Sequence, residues 1–249
     1  MSEMIYPPEE KDLESKIKAL MDEWKAYCDA KSEWKGKFVS DGFFPYYYYN
    51  NKHKHAVRVL FIGRESYGLV GGNYIELYDE MSTPNFHDRL LYLARGIING
   101  ESSMEDWLNM DDAKKLDTKL AEPGGFSYAF MNASKINNAT GGTMLCKELF
   151  YEFIDDPKNQ ENIIREIELL DPEIIVSANL GDLGFFDRFP AIERSADQPC
   201  EDCCVWYLNS GKKIPWIDGW HFSARKPTFE SFYSPICSLA KNLLKERRS

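Results

Sequence analysis

The chain has 249 residues, of which 43% are hydrophobic and 28% charged, a composition typical of a globular protein with a substantial core. Its formal net charge of −10 argues against a basic coat for nucleic acid, although 212–249 contain eight basic and three acidic residues that can form a local basic face. No apolar run reaches the roughly 18 residues of a membrane helix, and the polar N-terminus shows no secretory pattern. We therefore expect a cytoplasmic protein with no membrane partner.

Hydrophobic spacing predicts helices and strands that alternate along most of the chain. A helix over 9–34 is followed by an aromatic segment, 38–49, in which Pro45 excludes a regular helix. Further helices are predicted over 86–99, 105–120, 143–155, 158–170 and 229–247. Strands are predicted over 57–62, 126–132, 173–178, 204–208 and 214–217.

This alternation predicts an α/β protein with a three-layer α/β/α architecture and a mostly parallel central sheet. The run Val57–Ile62 is apolar almost throughout, as in a central strand that is covered on both faces. No internal repeat or low-complexity linker divides the chain. We therefore expect one domain over 1–249, with the N-terminal helix and aromatic loop of 1–50 packed on it.

Three polar segments follow predicted strands, and we interpret them as loops over 63–68, 132–138 and 220–226. In parallel sheets, ligands bind beyond the carboxyl ends of the strands. These three segments are therefore expected to meet at one edge of the sheet, although they are far apart in sequence.

The residue types in these segments suit a polar ligand site. Gly63 permits a tight turn with backbone N–H groups facing a ligand, and Glu65 supplies a carboxylate that can orient water or stabilise a developing cation. Tyr67 offers an aromatic wall. Asn132 carries an amide that can read the edge of a nucleobase, and His221 can donate a hydrogen bond to a developing oxyanion.

Two basic residues, Arg225 and Lys226, follow in the third segment. Their charge suits phosphate groups.

The order of these motifs resembles the uracil-DNA glycosylase superfamily, whose members carry a Gly-Gln-Asp-Pro-Tyr or Gly-Glu-x-Pro-Gly type loop after a strand. A later strand of the family ends in Asn, another apolar run ends in Gly, and a His-Pro-Ser loop comes near the C-terminus. The matching segments here are Leu60-Phe61-Ile62-Gly63-Arg64-Glu65-Ser66-Tyr67-Gly68, Ala129-Phe130-Met131-Asn132, Asp171-Pro172-Glu173-Ile174-Ile175-Val176 with Leu180-Gly181, and His221-Phe222-Ser223-Ala224-Arg225.

The resemblance implies a DNA-repair hydrolase that flips a base out of the stack and cleaves its N-glycosidic bond. It implies DNA or another nucleobase-containing ligand as the partner, and we expect no cofactor and no metal. The implied roles fall into three groups. Catalysis falls to Glu65 and His221, base binding to Gly63, Arg64, Tyr67 and Asn132, and contact with the nucleic-acid backbone to Ser223, Arg225 and Lys226.

The chain departs from the family pattern at two places. Arg64, Glu65 and Ser66 replace the usual residues after the first strand, and Phe222 stands where the family has Pro. The base recognised therefore stays open, and a nucleoside or nucleotide substrate is an alternative. A non-catalytic nucleic-acid- or nucleotide-binding module on the same fold, or an unrelated small-molecule hydrolase, are the competing hypotheses.

Three cysteines, Cys200, Cys203 and Cys204, cluster with a CxxC spacing that can hold zinc or part of an iron–sulfur cluster. The sequence contains no second CxxC. We therefore interpret the cluster as a loop that runs into a strand at Cys204.

Overall fold

The computed structural model describes residues 4–47, 57–69, 71–78, 84–138, 145–198, 202–224 and 229–248. Within them, seven strands form one sheet: β1 (Gly42–Phe43), β2 (Val59–Tyr67), β3 (Ala129–Asn138), β4 (Ile174–Ala178), β5 (Ile192–Arg194), β6 (Cys204–Ser210) and β7 (Lys212–Gly219). The α-helices are α1 (Lys11–Asp29), α2 (Pro84–Asn99), α3 (Met104–Asn109), α4 (Ala113–Asp117), α5 (Lys147–Ile154), α6 (Pro157–Leu170) and α7 (Ser234–Arg248).

The strand order is β1-β3-β2-β4-β7-β6-β5. The four central strands, β3, β2, β4 and β7, are parallel, which confirms the α/β class and the parallel pairing of the first three long strands. The outer pairs β1–β3, β7–β6 and β6–β5 are antiparallel. The sheet is therefore mixed rather than parallel throughout, because β6 and β7 form a hairpin whose turn contains Gly211 at φ +66°.

Both faces of the central strands are covered, which explains their nearly continuous apolar sequences. Successive residues of a strand point to opposite faces, and in β2 Phe61 shares a core with Leu90 of α2. Its neighbour Ile62 lies in a second core with Trp24 of α1 and Phe150 of α5. The sheet thus separates two hydrophobic layers, each closed by helices.

The path of the chain changes direction across the sheet after β2. From β2 the chain continues to β3 on one side, and from β3 it crosses to β4 on the other side. In open parallel sheets a ligand binds where consecutive connections leave in opposite directions. The end of β2, which carries Gly63 and Glu65, lies at this point.

Two segments that we predicted as loops are strands. β2 continues to Tyr67 and β3 to Asn138, and the two remain paired as Gly63 with Asn132 and as Glu65 with Ser134. Every residue of β3 is buried. The polar carboxyl half of β3 is therefore kept extended by its contacts with the rest of the fold, and not by its own hydrophobicity.

The predicted helix over 105–120 is also wrong, because it is divided into α3 and α4. Met110 is extended after α3, and Asp112 caps α4 by accepting a hydrogen bond from the backbone of Lys115. The short strands β1 and β5 were not predicted. In the aromatic segment Phe43, Phe44 and Tyr47 are buried, and its residues 48 and 49 lie outside the described ranges.

The last predicted helix begins with a π-helical turn, Phe229–Tyr233, before α7. Among the described residues, none of the helices combines the length and the apolar character needed to cross a membrane.

Candidate functional site

The backbone of Gly63 in β2 lies directly against the side-chain oxygen of Asn132 in β3. A Cβ atom on Gly63 would lie 2.5 Å from Oδ1 of Asn132 and 2.9 Å from Cζ of Phe130. Such distances are shorter than van der Waals contact, so a side chain at this position would displace Asn132 or Phe130. The absence of a side chain lets the Asn132 amide lie directly over the backbone of β2.

Glu65 lies two residues after Gly63 in β2, opposite Ser134 of β3, and its carboxylate is largely buried. Its Oε1 accepts hydrogen bonds from Nδ2 of Asn138 at 2.9 Å and from the backbone N–H of Cys146, just before α5, at 3.3 Å. Its Oε2 is buried and has no hydrogen-bond partner among the described residues. Burial raises the pKa of Glu65, against the opposing effect of these hydrogen bonds and of Arg64.

Arg64 does not face the same partners as Glu65. Its guanidinium donates to the carbonyl oxygens of Ala178 at 3.1 Å and Asn179 at 2.9 Å, at the end of β4. The side chain therefore links β2 to the turn after β4 and places a positive charge at the end of β4.

Asp218, near the end of β7, shapes that same turn. Its Oδ1 accepts hydrogen bonds from Oγ of Ser177 at 2.5 Å and the backbone N–H of Leu180 at 2.8 Å, and its Oδ2 accepts from the backbone of Gly181 at 2.8 Å. Burial raises the pKa of Asp218 to about 6, although these three hydrogen bonds oppose the shift. Asp218 thereby fixes the backbone whose carbonyls hold Arg64.

His221 follows β7 and has a defined tautomer. Its Nδ1 lies 2.8 Å from Oγ of Ser223 and accepts the backbone N–H of Ser223 at 3.2 Å. Because Nδ1 is an acceptor, we assign the proton to Nε2. Burial, together with the positive charges of Arg64 and Arg89, lowers the pKa of His221 to about 4. The ring is therefore neutral at pH 7, with Nε2–H as its donor.

Phe86, near the start of α2, packs against both the His221 ring and the Phe130 ring of β3. Its ring centroid lies 6.2 Å from that of His221 and 5.9 Å from that of Phe130. Phe130 lies in turn beneath Gly63 and next to Asn132. We call Gly63, Glu65, Asn132, His221 and Phe86 the strand-end site, because Gly63 and its partner Asn132 follow the last pair of β2 with β4, Ile62 with Ser177, and His221 follows β7.

The remaining predicted site residues have different positions. Tyr67, at the end of β2, is 43% exposed and extends beyond the core. Ser223 is exposed and bonded to His221. Arg225 and Lys226 lie outside the described residues.

Three contributors to this region were missed at the level of sequence. Phe86 and Arg89 lie on a helix whose apolar periodicity indicates only core packing, yet Arg89 donates to the carbonyl oxygen of Phe222 at 2.5 Å and supports the His221 segment. Asp218 lies in β7, where a single acid in a strand is weak evidence of a site. A polar residue within an otherwise buried strand was the available signal.

Two surface cavities among the described residues lie away from the strand-end site. One, of about 380 Å³, is lined by α1 and by the segments around 38–43 and 72–76. The other, of about 360 Å³, lies beside the β6–β7 turn at Gly211. The strand-end site is therefore distinguished by its chemistry and its place in the topology rather than by volume.

No cluster of three or more His, Cys, Asp or Glu side chains suited to a metal ion occurs within the described ranges. Cys204 begins β6, as predicted, and Cys203 is buried. Cys200 lies outside those ranges.

No protein-family model matches this chain, and neither does any curated protein sequence. The chemistry of the strand-end site is therefore inferred from its own atoms.

Proposed function

We propose that the chain is a divergent glycosylase of the uracil-DNA glycosylase type, which hydrolyses the N-glycosidic bond of a base displaced from DNA. The observation that carries this proposal is the Glu65 carboxylate. One of its oxygens is fixed by two donors, and the other is buried without a partner among the described residues. A buried, unpartnered carboxylate oxygen is costly and suits a water or a developing cation.

Glu65 would act as the base that activates water. The water oxygen forms a bond to the anomeric carbon of the sugar, and its proton passes to Glu65. The C–N bond breaks, and its electron pair leaves with the base. Burial raises the pKa of Glu65, which makes the carboxylate a better proton acceptor near neutral pH.

His221 would stabilise the departing base. Its neutral ring, with Nε2–H as donor, can hydrogen-bond an oxygen that becomes negative as the bond breaks. The nearby charge of Arg64 favours the same anion.

Asn132 and Phe86 would select the base. The Asn132 amide offers a donor and an acceptor for the edge of a nucleobase, and Phe86 supplies an aromatic ring at the same place. Since residue 63 is glycine, the Asn132 amide lies against the backbone of β2, and the base edge would meet that amide there.

Contact with DNA would fall to the exposed segment at Ser223 and to Arg225 and Lys226. Because the net charge of the chain is −10, only local basic clusters can meet phosphates. The proposal therefore includes weak DNA binding that decreases steeply with salt.

The test is base release from oligonucleotides that contain uracil, hypoxanthine, xanthine or a bulky modified pyrimidine. The protein is incubated with each, and abasic sites are detected by alkaline strand cleavage. We expect release of at least one base and none with Glu65→Gln. Binding of an oligonucleotide without any release would instead support the non-catalytic module, and equal release by Glu65→Gln would refute the mechanism.

A further inference from the structure

A fully buried group of three ionisable side chains lies behind the strand-end site. The ammonium of Lys135, within β3, is 2.5 Å from Oδ1 of Asp41 and 2.7 Å from Oε2 of Glu166 on α6. All three side chains are at most 1% exposed. Lys135 also lies 5.3 Å from the ring centroid of Trp24.

Burying such groups costs several kcal/mol per ion unless they are paired. Burial and the negative charge of Asp41 raise the pKa of Glu166 well above its ordinary value. The ammonium of Lys135 lies within ion-pair distance of both carboxyl groups. Aromatic packing alone could fill the same space without this cost, so the group calls for a specific role.

The second oxygen of Asp41 shows what that role is. Oδ2 of Asp41 accepts the backbone N–H of Asn132 at 2.7 Å. The β1–β3 ladder ends at the pair of Gly42 with Phe130, and the neighbouring backbone contact is made where Val39 donates to the carbonyl of Lys135. Between these two points, a side chain takes the place of a strand backbone.

We propose that Asp41 is a positioning residue, which is clamped by Lys135 and fixes the backbone of Asn132 so that the strand-end site accepts one base edge over another. The proposal rests on the proposed function, in which Asn132 reads the base. Asp41 itself does not touch the ligand. It acts by holding the backbone of β3 at Asn132, the residue that carries the reading amide.

The decisive variants are Asp41→Asn and the double variant Asp41→Asn/Lys135→Met. In Asp41→Asn, the amide oxygen turns towards the Lys135 ammonium and leaves its NH₂ group against the N–H of Asn132, so that hydrogen bond is lost. Removal of the ammonium in the double variant lets the amide oxygen turn back to Asn132. Glu166→Gln is the matched control, since it changes the same buried group and spares Asp41.

Amide hydrogen exchange measured by NMR reports the clamp without any substrate. We expect exchange at Asn132 to become about tenfold faster relative to Met131 in Asp41→Asn, because a charge-assisted hydrogen bond is lost. The double variant should return to within about threefold of wild type, and Glu166→Gln should match wild type. Unchanged exchange at Asn132 in Asp41→Asn would overturn the proposal. If Asp41→Asn does not fold, Asp41→Leu/Lys135→Met replaces it.

The second measurement is the ratio of kcat/KM for the best base to that for the next base. It should fall by about tenfold in Asp41→Asn and recover in the double variant, while a purely structural role would slow release of all bases equally. An unchanged ratio despite faster exchange would refute the link to base selection. If the wild-type protein releases no base, the glycosylase function fails, and the exchange data still decide whether Asp41 holds Asn132.

Discussion

The side-chain oxygen of Asn132 lies where a side chain on Gly63 would begin, 2.5 Å from the position of its Cβ. Gly63→Ala should therefore displace Asn132 and press on the Phe130 ring, whose stacking on Tyr74 at 4.0 Å leaves it little room. We expect a loss of about 1–3 kcal/mol in the free energy of unfolding and a large loss of base release, measured by urea denaturation and by single-turnover kinetics.

The control is Gly36→Ala. Gly36 has φ +74° and no atom within 4 Å of its Cβ position, so the substitution strains the backbone by about 1 kcal/mol far from the site. It should lower stability and leave base release unchanged. Equal loss of activity in both variants would mean that stability, and not crowding of Asn132, explains the effect.

Glu65→Gln should lower kcat by about 10²- to 10³-fold, because the amide keeps the shape and cannot take the proton of a water. The dissociation constant for the oligonucleotide should change by less than about threefold, since the lost charge matters chiefly in the transition state. Single-turnover base release and fluorescence anisotropy measure the two quantities. Glu148→Gln, an exposed acid early in α5, should behave as wild type. A loss of binding that parallels the loss of rate would contradict the assignment.

Asn132→Ala should relax the choice of base. An amide that pairs with one base edge discriminates by leaving polar groups unpaired against another, so its removal should reduce the preference by about tenfold or more. The measurement is competition between two base-containing oligonucleotides in one reaction. Asn209→Ala, on the exposed part of β6, provides the comparison, and an unaltered preference in Asn132→Ala would exclude the reading role.

His221 predicts a pH dependence of stability. Its pKa is about 4 in the folded protein and about 6.5 when unfolded, so the unfolded state takes up a proton first as the pH falls. The stabilisation from the neutral ring is complete above pH 6.5 and decreases towards pH 4. Between pH 7 and pH 5, wild type should lose about 1–2 kcal/mol more than His221→Asn, measured by urea denaturation.

His87, whose pKa burial also lowers to about 4, is present in both proteins and so cancels in the difference. The raised pKa of Asp218 cancels in the same way. Identical pH profiles for wild type and His221→Asn would show that the ring is not held neutral.

The buried strands could be predicted from the sequence because a run of apolar residues indicates burial even when the residues that it contacts are not known. The runs in β2 and β4 are covered on both faces, and their hydrophobicity alone indicates a central position. The expectation that Glu65, Asn132 and His221 converge at one edge followed from the carboxyl-end rule. In the structure Gly63 pairs with Asn132, and the ring of Phe86 packs against those of His221 and Phe130.

The extension of β2 and β3 could not be predicted in the same way. Arg64 to Tyr67 read as a polar loop, and only the pairing with β3 keeps them extended. Asp41 was equally hidden, since an isolated acid within an aromatic segment has no periodic pattern. Its importance depends on Lys135, which is 94 residues away in the sequence, and on Glu166 in α6.

The pairing of Gly63 with Asn132 also limits how this chain can vary in length. Side chains alternate between the two faces of a strand, so deletion of one residue between Leu60 and Gly63 would turn the Asn132-facing position towards the opposite core and bring a bulky side chain over β3. A substitution in β2 changes one position, whereas an insertion or a deletion there would move every following side chain to the opposite face of the sheet. Variants of different length are therefore to be sought beyond Gly68 and Asn138, and not within the paired segments.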